Sequence, residues 1–417
     1  MSGIVLSASV RQNLLSLQST ADLLSTTQNR LATGNKVNSA LDNPTNFFTA
    51  QGLNNRSNDI NNLLDSIGNG VQVLQAANQG ITSIQKLVDT AKSIANQALQ
   101  APSGYSAKAS ATVVGTGTGD ETAGGATAAD LTGGGGATGS KLDAAVMTFA
   151  KADGTSVAIT VGGTAVAYDA SAGTATVKSL DDLNKALSAA GVGVTAALTD
   201  NKTLTFTSTN DHASQTIAAA ATTNTLGLTA TGGTADVTAG TPVADVNSQN
   251  TRAGLISQYN AVIDQIKTTA QDSSFNGINL LNGDQLKLVF NETGKSTLTI
   301  QGVTFDPDGL GLKSLTAGTD FLDNANTNAV LDSLNDASST LRSQASTFGS
   351  NLSIVQIRQD FNKNLINVLQ TGASNLTLAD TNEEAANSQA LSTRQSIAVS
   401  ALALANQSQQ SVLQLLR

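Results

Sequence analysis

The chain has 417 residues, room for two or three domains, yet only 13% are charged and 3% aromatic, with no Trp and one His. A net charge of −9 argues against nucleic acid as a partner, because phosphate binding needs a concentrated basic surface. The absence of cysteine excludes disulfides, thiolate catalysis and Cys-based zinc sites together, and no run of about 18 apolar residues exists to span a membrane.

Met1-Ser2-Gly3-Ile4-Val5-Leu6-Ser7 lacks the basic start and long apolar stretch of a Sec signal peptide. Val10, Leu14, Leu17, Ala21, Leu24, Gln28 and Leu31 then step by four and three, placing an apolar seam on a helix from about residue 7 to Ala32. Gly34 is its natural stop. Asn43 and Pro44 form an N-cap and first-turn pair for a second helix, which Pro102 ends after about Gln100. The seam of that helix reads Ile60, Leu64, Ile67, Val71 and Leu74, then Ile81, Ile84 and Val88. At ~1.5 Å per residue it is a rod of roughly 70–80 Å.

Residues 104–243 are dominated by Gly, Ala and Thr. Short alternating segments around Met147-Thr148-Phe149, Ser156–Val161 and Thr164–Tyr168 read as strands, Ser179-Leu180-Asp181-Asp182 opens one short helix, and strands near Val192–Leu198 and Thr203–Ser208 follow. This predicts a small β-β-α-β-β module with weakly ordered flanks at 105–140 and 210–240. The run Gly133-Gly134-Gly135-Gly136 with Gly139-Ser140-Lys141 lacks the Gly-Lys-Ser/Thr of a phosphate loop and reads as linker.

After Pro242 the helical period returns in Leu255, Tyr259, Val262 and Ile266, ending before Phe275-Asn276-Gly277. Leu286–Phe290 and Thr297–Gln301 form a hairpin around Asn291-Glu292-Thr293-Gly294. A second long helix carries Val330, Leu334, Ala337, Leu341, Phe348, Leu352, Val355, Ile366 and Leu369, with Gly372 as its expected stop. Thr381-Asn382-Glu383-Glu384 reads as a capping box, Thr at N-cap and Glu at N3, launching a final helix. Its seam is Ala398, Leu402, Ala405, Gln409, Val412 and Leu416.

The order is short rod, long rod, insert, helix and hairpin, long rod, short rod. The long rods can bury their seams within one chain, each fully buried Leu, Ile or Val contributing roughly 1.5–3 kcal/mol. The terminal helices have little besides each other, and Ala, Gln and Ser dilute their seams. They are expected to be poorly ordered alone and to fold when many copies pack together.

Three segments carry a resemblance to bacterial flagellin. Leu31-Ala32-Thr33-Gly34-Asn35-Lys36-Val37-Asn38-Ser39-Ala40-Leu41-Asp42-Asn43 resembles the family's link between its first two helices. Phe275-Asn276-Gly277-Ile278-Asn279-Leu280-Leu281 resembles its turn before the hairpin. Leu404-Ala405-Asn406-Gln407 through Val412-Leu413-Gln414-Leu415-Leu416-Arg417 is similar to its C-terminal signature. The likeness runs over roughly residues 1–103 and 244–417.

The resemblance implies a mainly α fold of long antiparallel, coiled-coil-like rods with a hairpin at 286–301 and a small α+β insert. Residues 1–44 and 376–417 would form the inner tube of a filament, 45–103 and 244–375 the next shell, and 104–243 an outward variable domain. It implies a non-enzymatic subunit of the extracellular flagellum, exported unfolded through the type III apparatus and assembled with copies of itself for motility. Other partners implied are an export chaperone, the filament cap and the hook-junction proteins. The alternative is the hook–filament junction protein of the same superfamily. The family's variable domain usually follows the hairpin, whereas 104–243 precedes the 245–272 helix. Flagellins sensed by the vertebrate innate receptor carry Q-R-x-R-E-L in the first long helix. The matching Gln85-Lys86-Leu87-Val88-Asp89-Thr90 lacks both arginines.

No catalytic, cofactor or metal residue is assigned. His212, the sole histidine, has no nucleophile or acid at readable spacing. Asp306-Pro307-Asp308-Gly309 is too short for six oxygen ligands and reads as a turn.

Overall fold

A computed structural model describes residues 8–115, 126–133, 142–151, 153–199, 203–219, 225–231, 235–238 and 240–415. The linker residues Gly134–Gly136 and Gly139-Ser140-Lys141, the first residues Met1–Ser7, and Leu416 lie outside them. The fold is mainly helical, with a sheet-containing insert. Its elements run α1 (Ala8–Thr33), α2 (Pro44–Gln100), β1 (Tyr105–Ala107), β2 (Ser110–Gly115), β3 (Val146–Ala150), β4 (Ser156–Val161), β5 (Val166–Asp169), β6 (Thr174–Val177) and α3 (Leu180–Ala189). Then come β7 (Val194–Thr199), β8 (Thr203–Ser208), β9 (Thr216–Ala218), β10 (Thr225–Thr231), β11 (Ala235–Thr238), β12 (Val243–Ala244), α4 (Val246–Asp272), β13 (Gln285–Val289), β14 (Thr297–Gln301), α5 (Asn324–Thr377) and α6 (Thr381–Leu415).

Contacts divide the chain into two units: residues 1–72, 286–300 and 350–417 form one, and 73–285 with 301–349 the other. In the first, α1 packs against α6. The beginning of α2 packs against the end of α5 through buried Ile60, Ile366 and Leu369, with Leu53, Leu64 and Leu365 partly covered beside them. The β13–β14 hairpin is fastened to both long helices. Asn362 Nδ2 donates to Phe290 O at 3.0 Å, Arg56 pairs with Glu292 at 2.8 Å, and the Arg358 guanidinium lies 5.8 Å from the Phe290 ring centre. Gly70 makes the approach possible: a Cβ there would stand 2.4 Å from Leu288 Cδ2.

The second unit has two centres. Around α4, buried Leu255, Ile256, Tyr259, Ile263, Ile266 and Ala270 recur every three or four residues. The ring of Tyr259 meets that of Phe321 edge-on at 6.0 Å. Arg252, 2% exposed, donates to Phe321 O at 2.6 Å, Pro102 O at 2.9 Å and Ala101 O at 3.0 Å, satisfying carbonyls where α2 ends. The other centre is the insert. One sheet has strand order β5-β6-β4-β3-β10-β9 and the other β11-β2-β8-β7. Their inner faces, with Leu183, Ala186 and Leu187 of α3, enclose a single apolar core in which Phe149 and Phe206 meet edge-on at 5.4 Å. The strands β1 and β12 pair as a separate two-stranded antiparallel sheet.

Three local expectations change. The insert's flanks, read as weakly ordered, supply β1, β2, β9, β10 and β11 among the described residues. Short Thr- and Ala-rich strands have low hydrophobicity of their own and gain order by pairing with β3 and β8. The helix α5 passes through Gly372 to Thr377, because Gly372 keeps a helical φ rather than the positive φ of a helix stop. The cap of α6 is Asp380, whose carboxylate accepts from Asn382 N at 2.9 Å and Glu383 N at 3.3 Å. Glu384 does not reach back to close a capping box; it pairs with Arg30 at 3.3 Å.

Candidate assembly surface

The two interhelical links hold the chain ends side by side. Gly34 at φ +71 turns the chain out of α1. Lys36 N and Val37 N then donate to Thr377 O at 2.7 and 3.3 Å, and Ala379 N donates to Gly34 O at 2.9 Å. The Asp42 carboxylate accepts from Asn38 N at 3.0 Å and from Ser39 N at 2.8 Å, and these hydrogen bonds hold its carboxyl below the ordinary value. Asn43 Oδ1 accepts from Asn46 N at 3.0 Å and caps α2.

Along the paired terminal helices, covered positions follow a heptad. On α6 they are Glu384, Ser388, Leu391, Gln395, Ala398, Leu402 and Ala405, in steps of four and three. On α1 the covered positions include Val10, Asn13, Leu17, Thr20, Leu24, Thr27 and Arg30. Ala398, Leu402 and Ala405 thus lie on the covered stripe, as do Val10, Leu17 and Leu24. Leu14 and Leu31 are each 39% exposed, just outside it. Val412 is described in its backbone alone. The expectation that these helices lack order in a single chain differs from the structure, where both are helical and paired. Each supplies the other's missing half-seam, but that seam is thin: among the described side chains of α1, only Val10 and Thr27 are buried.

On the long helices, Ile60, Ile67, Val71, Leu74, Leu334, Leu341, Phe348 and Val355 are buried, and Leu64 and Leu352 are half-covered. Sequence reasoning missed a second stripe. Ile354, Ile357, Phe361 and Val368 of α5 are 45, 65, 55 and 66% exposed, again at heptad spacing. Phe48 and Leu41 are exposed in the same unit, Leu41 at 96%, as are Leu15 and Leu23 of α1 and Ile397, Val399 and Leu404 of α6. The signal was present in the sequence: two heptad registers overlap in 352–369, and the inward one alone was followed.

Of the matched receptor segment, Val88 is fully buried, Gln85 is half-buried, and Lys86, Asp89 and Thr90 are exposed. His212 is half-buried against Gly193, where a Cβ would come within 2.4 Å of its ring. The Asp306 carboxylate accepts from Gly309 N at 2.8 Å, closing a turn. Among the described residues no cluster of three metal-ligating side chains occurs, and no helix is long and apolar enough to cross a membrane.

These features define a class: a mainly helical chain with paired terminal helices, an inserted β-sandwich, and exposed apolar heptad stripes. Residues 5–112 match the N-terminal helical region of bacterial flagellin and 331–416 its C-terminal helical region. The chain is 33% identical over 165 residues to Flagellin FljM of Caulobacter vibrioides, covering 39% of this chain and 59% of that protein. To Flagellin A of Rhizobium meliloti it is 35% identical over 92 residues, 22% of this chain and 23% of that one. The chain belongs to the bacterial flagellin family. It spans 59% or less of the length of each of these two relatives.

Proposed function

We propose that the protein is the structural subunit of a bacterial flagellar filament, a helical tube built from copies of this chain. The observation that carries the reading is the exposed heptad stripe Ile354, Ile357, Phe361 and Val368, on a helix whose opposite stripe is already buried. Apolar patches of this length on a soluble chain mark interfaces. A stripe with heptad spacing fits another helix. The exposed leucines of α1 and α6 extend the same argument to the chain ends.

In this reading neighbouring copies cover what the thin α1–α6 seam leaves exposed, so residues 1–44 and 376–417 form the inner tube. Residues 45–103 and 244–375 form the shell around it, and 104–243 faces outward. The thin seam suits passage through the export apparatus as an unfolded chain, handed on by a chaperone and added beneath a cap outside the cell, distal to the junction proteins. The role is structural and needs no catalysis.

Electron microscopy of the purified chain under polymerising conditions tests this. Long tubular filaments are expected from the full chain and none from a chain trimmed at about residues 40 and 375. Normal filaments from the trimmed chain would overturn the mechanism, and a full chain that forms only short caps would favour the junction protein.

A further inference from the structure

Among the described residues, the outer faces of the insert's two sheets carry almost no charge, on a chain of net charge −9. On the larger sheet the strands β6, β4, β3 and β10 turn Thr174, Thr176, Ala158, Thr160, Thr148 and Thr229 away from the core. They form continuous rows: Thr174 pairs with Ala158, Ala158 with Thr148, and Thr148 with Thr229. On the smaller sheet, β2, β8 and β7 turn out Ser110, Thr112, Thr205, Thr207 and Thr195. Thr112 lies opposite Thr205, and Thr207 lies between Ser110 and Thr195. All of these side chains are exposed or half-buried. Within the insert's paired registers, among the described residues, charge stands only on edge strands, with Asp169 on β5 and Asp236 on β11; Lys178, just past β6, is exposed and pairs with Asp130.

Threonine suits an open sheet face by propensity alone. Propensity does not explain why Lys, Glu and Asp, which normally populate such faces, stand instead at turns, at edges and on α3 among the described residues. We propose that these two faces dock against each other between neighbouring copies, the larger sheet of one insert on the smaller sheet of the next. The proposal rests on the filament reading above. Two arguments select a second copy as the occupant. Acidic copies repel wherever their charges meet, and these faces let them approach without stacking like charges. Two different faces make a heterologous contact, which is what a screw-related array brings together and what a two-fold dimer does not.

The size of the faces explains why the contact waits for the polymer. Four strands about 4.8 Å apart, with two outward rows about 7 Å apart, offer roughly 300 Å² per copy. A stable free complex needs about 800 Å² per partner. Held at the high effective concentration of a filament, the same contact forms on every copy.

The cysteine-free chain permits a direct test. Full-length T148C and T205C, labelling the larger and smaller faces, are mixed in equal amounts, polymerised and treated with a short bis-maleimide. Cross-linked dimer is expected in mixed filaments at roughly a hundredfold over the unpolymerised mixture, following the effective-concentration gain. Filaments of either variant alone should give none. T160C with T207C provides a second pair should one of the first variants fold poorly. Absence of dimer from mixed filaments of both pairs overturns the proposal, as does dimer in filaments of one variant alone. If the unsubstituted chain forms no filaments, the parent reading has failed instead.

Discussion

The guanidinium of Arg30 stands 3.3 Å from the carboxylate of Glu384, joining the last turn of α1 to the first turn of α6. Each charge is also favourably placed in the dipole of its own helix, Arg30 at a C-terminus and Glu384 at an N-terminus. With side chains 37% and 11% exposed, the pair is worth about 1 kcal/mol or less. Glu384→Gln should therefore leave the fold intact and raise amide exchange a few-fold in the flanking turns of α1 and α6. Hydrogen-exchange mass spectrometry checks this; unchanged protection in both turns would show that the pair contributes nothing.

Phe361 and Phe348 lie on the same helix, 55% and 0% exposed. Phe361→Asp places a charge on the outward stripe and is expected to keep the monomer's helical signal and melting temperature while abolishing filaments. Phe348→Asp buries an unpaired charge and should unfold its unit. Circular dichroism and electron microscopy of the two variants separate assembly from folding. Wild-type filaments from Phe361→Asp would remove this stripe from the interface.

Much of the core was legible in the sequence, because long helices announce themselves. Pro44, Pro102 and Gly34 punctuate α1 and α2 where φ and the missing N–H require it, and the inward stripe from Ile60 to Val88 has only one period to follow. The end of α5 was not, since a glycine ends a helix only where it takes positive φ, and Gly372 stays helical with α5 running on to Thr377. The cap of α6 was misplaced by one residue because Asp380 and Thr381 are both good caps, and the fate of Glu384 depended on Arg30, 354 residues away. The strands at the insert's edges were missed for a related reason. Sequences as bland as Ser110–Gly115 become strands through their partners rather than their own pattern. The outward stripe of α5 was visible but shared its residues with an inward one.

Arg252 fixes the junction where α2, α4 and the segment before α5 meet. Its guanidinium serves three backbone carbonyls, and burial lowers its pKa against the opposing pull of Asp323. Arg252→Met keeps much of the apolar stem but leaves buried acceptors without donors, at about 1–3 kcal/mol each. A loss of several kcal/mol in denaturant unfolding is expected. Arg252→Lys should recover only part of it, because an ammonium cannot reproduce the planar fork.

Tyr259 gives the fold an alkaline limit. Burial pushes its phenol up to about 12, with the charge of Asp320 adding to the effect. Because the folded pKa lies above the unfolded value of about 10, its stabilising contribution is complete below pH 10 and is lost as pH rises through 12. Absorbance titration should show one phenol ionising together with loss of helical signal near pH 12. Tyr259→Phe should remove that ionisation and extend helicity to higher pH. An unaltered alkaline transition in the variant would assign it to another group.

The receptor-like segment of α2 yields the last prediction. Of Gln85-Lys86-Leu87-Val88-Asp89-Thr90, Val88 points into the core and is fully buried, while Gln85 is committed to Ser338 at 2.8 Å and Asp89 at 3.2 Å. The exposed remainder, Lys86, Asp89 and Thr90, offers one ammonium where the sensed pattern has two forked guanidinium groups. Purified monomer should activate a vertebrate flagellin-receptor reporter weakly or not at all, and full activation would refute this. Lys86→Arg restores an exposed donor fork and should raise the signal. Val88→Arg should not, because that position would drive a charge into the core and lower the melting temperature before it met any receptor.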